Sequence, residues 1–212
     1  MLGESPFSGK SSKGCATKAH PGDCLGGFKL NTLLTAMNRA HYPQPYMTNE
    51  SAKALADFLL SQLQQESALT RKVLAAVPDE NYAYKPSEKC MTGLQLATHI
   101  AAAEAFFLSG VINGGFNWQQ PDLKTPADVV TWYDENIPGL QAKAAELSGE
   151  QLAQPIQFAV WNEPAVTYLT MCLKHGIHHR GQLSTYLRPM GGKVPSIYGP
   201  SADEPRKAAQ AD

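Results

Sequence analysis

Four long stretches with helical periodicity, each bounded by proline or glycine, constrain the fold of this 212-residue chain more than any other feature. In the first stretch Leu55, Leu59, Leu69 and Val73 recur at the spacing of an amphipathic helix, and helix-forming composition, caps and stop signals mark the other three. The predicted helices span residues 49–76, 92–112, 125–147 and 164–187. The pattern predicts an all-α chain that folds as an antiparallel four-helix bundle, in which functional sites are built from inward-facing side chains.

Two segments depart from four uniform helices. Pro138-Gly139 lies inside the third predicted helix, and a kink or break is expected there because proline lacks the N–H that the helix needs. The segment IQFAV at residues 156–160 is strand-like, but it is short and solitary. Neither segment changes the predicted fold class.

The first 46 residues differ in composition from the rest of the chain. They are rich in Gly, Ser, Lys and Pro and carry five basic and two acidic residues, a charge of +3, which leaves −4 for the remainder. Such a composition buries too little apolar surface to offset the entropy of ordering the chain. We therefore expect residues 1–46 to be a disordered extension or an artefact of an upstream start site. The bundle is expected at 47–201 and a flexible tail at 202–212.

Charge, hydropathy and cysteine usage exclude several classes of protein. A net charge of −1 without a basic helix face argues against nucleic-acid binding. No run of about 18 apolar residues and no secretory signal is evident, so we expect a cytoplasmic protein without a membrane span. The four cysteines form no C-x-x-C pair, and the spacing of Cys15, His20 and Cys24 matches no common zinc pattern. Phosphate-loop, dinucleotide-binding and serine-hydrolase motifs are also missing.

Three of the six histidines lie within five positions of the fourth predicted helix, in the run KHGIHHRGQL. His175 and His179 are four residues apart and so share one helix face, where two imidazoles can hold one divalent metal ion. Gln182 and Tyr186 continue that face, whereas His178 is displaced from it. The alternative interpretation is a His-rich helix whose imidazoles are solvated.

His99 is the candidate third ligand, because it interrupts the otherwise apolar second predicted helix in GLQLATHIAAAEAFF. It shares a face with Ala103 and Phe106 and is therefore expected to point inward. A lone buried histidine is more often a hydrogen-bonded core residue than a ligand. A histidine pair on another inward face favours the metal, since one ion would offset the desolvation of all three imidazoles.

Two separated motifs resemble the DinB-like family of metal-binding four-helix bundle proteins. One is HGIHHRGQLSTYLR at 175–188, continuing into PMGGKVPSIYGPS, and the other is YKPSEKCMTGLQLATHIAAAEAFFL at 84–108. The resemblance covers about residues 49–201. It implies one divalent metal ion at His99, His175 and His179, with zinc expected first and nickel or iron as alternatives. It also implies coordination positions open to water or substrate, and a homodimer formed through helix faces.

The resemblance implies two kinds of function. The first is a metal-dependent enzyme, either a transferase that uses a low-molecular-weight thiol or a hydrolase, acting on a small molecule in the bundle cavity. The second is a non-catalytic metal-binding stress-response protein in which the metal is structural. A fourth ligand from the protein, such as Glu66, would favour the structural role.

Several side chains are candidates for roles beside the metal. Glu66 interrupts the apolar face of the first predicted helix and could approach the metal from across the bundle. Tyr186, with Gln182, could orient an imidazole N–H. Glu66 and Glu104 are each more readily interpreted as a solvated helix carboxylate, and Arg180 as a surface ion-pair partner. Cys172 is interpreted as a buried structural cysteine.

Overall fold

A computed structural model describes residues 47–205, and it confirms the predicted four-helix bundle. The elements are α1 (Asn49–Leu74), α2 (Gly93–Asn113), α3 (Pro126–Ala145), α4 (Gly149–Ala153), β1 (Pro155–Phe158), β2 (Trp161–Pro164) and α5 (Ala165–Leu187). Every bound of the four long helices lies within two residues of its predicted position. The predicted disordered extension at 1–46 and the end of the predicted tail lie outside the described residues.

Side-chain caps explain why the long helices begin where they do. The Thr48 hydroxyl accepts a hydrogen bond from the backbone N–H of Ser51 at 3.1 Å, which satisfies one of the free N–H groups of the first turn. Thr92 begins α2 and Thr125 begins α3, each within a reciprocal capping box. Gly114, with a φ of 68°, ends α2 in the left-handed conformation that glycine adopts without strain.

The predicted break at Pro138 is absent, and α3 runs through this residue without interruption. The ring of Pro138 removes the hydrogen bond to the carbonyl of Asp134, four residues earlier. Both residues are exposed, so water can hydrogen-bond to that carbonyl and the helix is not forced to end. Of the two expectations for this position, the break is therefore wrong, and the kink stays a prediction.

The strand-like segment is not solitary, which corrects a second expectation. It forms β1 of a two-stranded antiparallel hairpin, in which Pro155 pairs with Pro164 and Phe158 with Trp161. The hairpin leads directly into α5, whose first residue, Ala165, donates its N–H to the carbonyl of Gln154 at 2.8 Å. The short helix α4 was also missed, because five residues are too few to show a helical period.

The core lies between the four long helices, and α2 is its most buried member. The fully buried aliphatic side chains come from all parts of the bundle: Leu74, Leu96, Ile100, Leu108, Ile137, Leu152, Leu169, Leu183 and Leu187. By length and composition α2 alone among the described helices is apolar enough to cross a membrane, with a mean hydropathy of 1.3 over its most apolar window. That window is 67% buried within the bundle, as is usual for the core helix of a soluble protein.

Candidate metal centre

The packing of α2 against α5 brings the three predicted ligands together. The Nε2 atoms of His99 and His175 are 3.2 Å apart. The ring centroid of His179 lies 4.8 Å from that of His99 and 4.3 Å from that of His175. One ring nitrogen from each histidine lies within 4.8 Å of the other two. The helical spacing on α5 and the single inward histidine of α2 thus converge on one point.

Partial burial keeps the three imidazoles neutral. Desolvation, with a smaller contribution from His179, lowers the pKa of His99 to about 4. Desolvation and the neighbouring histidines lower the pKa of His175 to about 3. Burial also lowers the pKa of His179, although its hydrogen bond to Gln182 acts in the opposite direction. At neutral pH all three therefore present the unprotonated form that binds metals.

A hydrogen bond from the next turn of α5 orients His179. Its Nδ1 lies 2.9 Å from Oε1 of Gln182, and an amide oxygen can only accept, so Nδ1 carries the proton. Gln182 in turn donates from Nε2 to the hydroxyl of Tyr186 at 3.4 Å. This arrangement leaves the Nε2 lone pair of His179 free, as is usual for histidines that bind metals.

The spacing and chemistry of these side chains fit a divalent metal ion. Zinc–nitrogen bonds of about 2.0–2.1 Å in tetrahedral geometry place two ligand nitrogens about 3.3 Å apart. The Nε2 atoms of His99 and His175, at 3.2 Å, match that separation, which equally suits one N–H···N hydrogen bond. Neutral imidazole is a preferred ligand of zinc, nickel and iron. The cluster is therefore able to hold one metal ion.

Aromatic side chains adjoin the cluster, and the sequence reasoning did not identify them. The ring of Trp118, from the loop after α2, lies 5.8 Å from His99 between centroids. Phe107 lies 5.7 Å from His175. The only signal for Trp118 is a large aromatic residue within the polar run NWQQ, and an irregular loop offers no period from which its direction could be deduced.

Glu66 does not join the histidines, because other partners hold its carboxylate. Its Oε2 accepts from the guanidinium of Arg180 at 2.5 Å and from the hydroxyl of Tyr198 at 2.6 Å. Arg180 is only 1% exposed and also donates to the Glu66 carbonyl and to the Thr70 hydroxyl. The interpretation of Arg180 as a surface residue is wrong: it forms a buried ion pair that connects α5 to α1.

Glu104 is buried, which corrects the expectation that it is a solvated helix carboxylate. Its Oε1 accepts from the Ser67 hydroxyl at 2.5 Å and from the Gln141 amide at 3.2 Å. Its Oε2 accepts from the Tyr133 hydroxyl at 2.5 Å. Burial raises the pKa of Glu104 against the opposing effect of these hydrogen bonds. The donors come from α1 and α3, so the pattern of α2 alone could not reveal them.

The remaining sequence candidates lie outside the cluster. His178 is exposed on α5, in line with its displaced position in the sequence. Cys172 is buried, and desolvation raises its pKa well above the usual value, as expected for a structural thiol.

A cavity of about 520 Å³ lies between α1 and α3, and none of the three clustered histidines lines it. The expectation that a bundle cavity surrounds the histidine site is not met by this cavity.

Comparisons with known proteins agree with the architecture. The model of the DinB family matches residues 47–210. The uncharacterized protein YrdA of Bacillus subtilis (strain 168) is 27% identical over 154 residues, which cover 70% of this chain and 90% of YrdA. The uncharacterized protein YjoA of the same strain is 28% identical over 131 residues, which cover 58% of this chain and 82% of YjoA.

Two crystal structures share the fold. The DinB-like protein YjoA from Bacillus subtilis superposes with a TM-score of 0.57 at 23% identity, covering 67% of this chain and 99% of YjoA. A DinB-like protein from Bacillus cereus ATCC 10987 gives a TM-score of 0.56 at 24% identity, covering 72% of this chain and 99% of the Bacillus cereus chain. At these identities the likeness establishes the common bundle.

Proposed function

Because the chain belongs to the DinB family, we propose that it binds one divalent metal ion at His99, His175 and His179 and uses it in chemistry on a small molecule. The observation that carries the proposal is the meeting of three ring nitrogens, from two helices, within 4.8 Å. Burial that keeps the three imidazoles neutral leaves their nitrogen lone pairs directed at a small, partly buried space, and one cation there would satisfy these lone pairs together.

Zinc is the proposed metal, with nickel and iron as alternatives. A metal held there would act as a Lewis acid and lower the pKa of a water or thiol ligand. The protein's own contribution is to hold three neutral imidazoles in place. Gln182 keeps His179 in one tautomer, and partial burial limits competing water. Transfer to or from a low-molecular-weight thiol and hydrolysis are the two proposed reaction types.

The positions of the acidic residues favour an open catalytic site. The Glu66 carboxylate is bound to Arg180 and Tyr198, and the Glu104 carboxylate is bound to three donors from α1 and α3. Neither belongs to the histidine cluster. A centre with three protein ligands and a free position is typical of catalytic zinc, whereas structural zinc usually has four protein ligands.

A structural metal in a stress-response protein is the second candidate function. The observation that favours it is the origin of the ligands, because His99 belongs to α2 and the other two belong to α5. One ion bound to all three would join two helices of the core and stabilise the bundle without any reaction.

Metal analysis of protein purified without a histidine tag tests the site. We expect about one equivalent of zinc per chain in the wild type, and loss of that metal in the H175A/H179A double variant. The matched control is H178A, which removes an exposed histidine of the same helix and should retain the metal. Equal metal content in all three proteins would contradict the proposed centre.

An activity panel then separates the two functions. The zinc-loaded protein is incubated with low-molecular-weight thiols and a series of electrophiles, and separately with simple esters and amides. A catalytic centre predicts turnover that H178A retains and H175A/H179A loses. Metal retention with no turnover on any substrate, together with a large rise in melting temperature on metal binding, would support the structural function.

We also propose that the protein is cytoplasmic, that it forms a homodimer and that it binds no nucleic acid. Analytical ultracentrifugation of the untagged chain at micromolar concentration measures the oligomeric state, and a purely monomeric profile would contradict the dimer.

A further inference from the structure

An aromatic strip extends from the histidine cluster to the β1–β2 hairpin. We define it by four residues: Trp118, Phe106, Phe158 and Trp161. Trp118 lies 5.3 Å from Phe106, Phe106 lies 5.6 Å from Phe158, and Phe158 stacks on Trp161 at 6.1 Å, all between ring centroids. At the end of the strip away from the hairpin, the ring centroid of Trp118 lies 5.8 Å from that of His99. The strip is thus continuous with the proposed metal centre.

Parts of the aromatic strip are exposed although they are apolar. Trp118 is 43% exposed and Trp161 is 42% exposed. Val160, at the tip of the hairpin, is 72% exposed. Scattered exposed apolar residues are ordinary, but a continuous aromatic surface beside a candidate active site marks a surface that binds a ligand. The four aromatic side chains offer apolar contact area to a ligand.

The position of Trp118 determines which part of a ligand can contact the strip. Trp118 adjoins His99, one of the residues that would hold the metal, so a ligand bound at the proposed centre could place the portion next to its donor atom against the Trp118 ring. Indole and phenyl rings bind flat, polarisable groups through offset-stacked or edge-to-face contacts. An alkyl chain of similar size would gain only the free energy of burying apolar area, without the additional aromatic contact.

We propose that the aromatic strip is a specificity surface, and that the substrate of the metal centre carries an aryl group next to its metal-binding or reacting group. This inference rests on the proposed function, because it presupposes a metal ion at the three histidines. It adds the substrate class, which family membership does not supply. Trp118 acts as a specificity-determining residue, and the hairpin with Trp161 extends the surface for larger ligands.

Two probes with the same metal-binding head test the proposal by calorimetry. Benzohydroxamate and acetohydroxamate differ in the aryl group, and each is titrated into zinc-loaded wild type and W118A. We expect wild type to prefer benzohydroxamate, and W118A to lose about fivefold to tenfold of that preference, the size of one aromatic contact. Acetohydroxamate affinity should be nearly the same in both proteins.

Two further variants guard against trivial outcomes. W118F keeps an aromatic ring and should retain most of the preference. F58A removes an aromatic side chain that is 61% exposed on α1, outside the strip, and should behave as wild type. Loss of both probes in W118A but not in W118F would mean that Trp118 supports the metal centre as a whole, which contradicts a role in aryl selection.

The possible failures are distinguishable. An unchanged ratio of the two affinities between wild type and W118A, with zinc bound to both, would overturn the aryl specificity and leave the metal centre intact. If the wild type binds no zinc, the proposed function fails, and the inference fails with it.

Discussion

The Nδ1 atom of His179 lies 2.9 Å from the side-chain oxygen of Gln182, one turn further along α5. This contact assigns the proton of His179 to Nδ1 and leaves the lone pair of Nε2 available to a metal ion. The orientation of the proposed metal centre thus depends on a residue that does not bind the metal itself.

Replacement of Gln182 should weaken metal binding without abolishing it. Q182A removes the acceptor for His179, so the imidazole gains rotational and tautomeric freedom, and we expect zinc affinity to fall about 10- to 100-fold. Competition with a chromophoric chelator measures the change. The control is Q157A, which alters an exposed glutamine of the hairpin. Zinc affinity in Q182A equal to that of Q157A would show that Gln182 does not orient His179.

The stability of the metal-free protein should decrease as the pH falls from about 6.5 towards 4. In the folded state burial lowers the pKa of His99 to about 4 and that of His175 to about 3, whereas in the unfolded chain both titrate near 6.5. The unfolded state therefore binds more protons in this interval, and acidification favours it. Melting temperatures in chelator at pH 7 and pH 5 measure the loss.

Variants identify the source of that pH dependence. H99A and H175A should each flatten the change between pH 7 and pH 5, because they remove a group whose pKa differs between the two states. H178A removes an exposed neighbour that contributes only the smallest part of the lowered pKa of His175 and His179, so it should change the pH dependence of the melting temperature less than H99A or H175A does. If the melting temperature changes equally between pH 7 and pH 5 in H99A, H175A and the wild type, groups other than His99 and His175 cause the pH dependence.

Removal of the Glu104 carboxylate should destabilise the bundle while sparing the metal centre. E104A removes the acceptor that Ser67, Tyr133 and Gln141 share. Ser67 and Gln141 each keep a second acceptor, so the main cost falls on the buried Tyr133 hydroxyl, and we expect a loss of about 1–3 kcal/mol. Urea unfolding measures it, with E135A on the exposed face of α3 as the control. Zinc content of E104A should equal that of the wild type, since the Glu104 partners lie on α1 and α3. Loss of zinc from E104A without a loss of stability would contradict the structural role assigned to Glu104.

Loss of Glu66 should act through the buried charge of Arg180. E66A leaves a guanidinium that is 1% exposed without its carboxylate, at a cost of about 3 kcal/mol or more. Urea unfolding of E66A is compared with that of Y198F, which keeps the ion pair and should lose much less. If E66A loses zinc yet unfolds at the wild-type urea concentration, Glu66 is a metal ligand after all, and the open site is wrong.

The helices and the meeting of the histidines were predictable because both follow from local periodicity. His175 and His179 share a face by their four-residue spacing alone. His99 interrupts an apolar helix that had to be buried, so it had to face the other helices. Capping residues such as Thr48 and Thr92 fixed the helix starts in the same local way.

The partners of buried charges were not predictable, because they depend on how helices pack. The sequence next to Arg180 contains no sign of Glu66, which lies 114 positions away. Glu104 finds its three donors on two other helices for the same reason. The hairpin was missed because each four-residue strand is defined only by pairing with the other. Trp118 lies in a loop with no repeating geometry.

The contact between Trp118 and His99, with ring centroids 5.8 Å apart, would make Trp118 an internal optical indicator of a metal ion bound at the proposed centre. Zinc has a filled d shell and leaves indole emission largely intact, whereas open-shell nickel or iron at such short range quenches it. The fluorescence of Trp118, resolved in the purified protein by comparison with W118F, would therefore separate a zinc-loaded chain from one that holds nickel or iron.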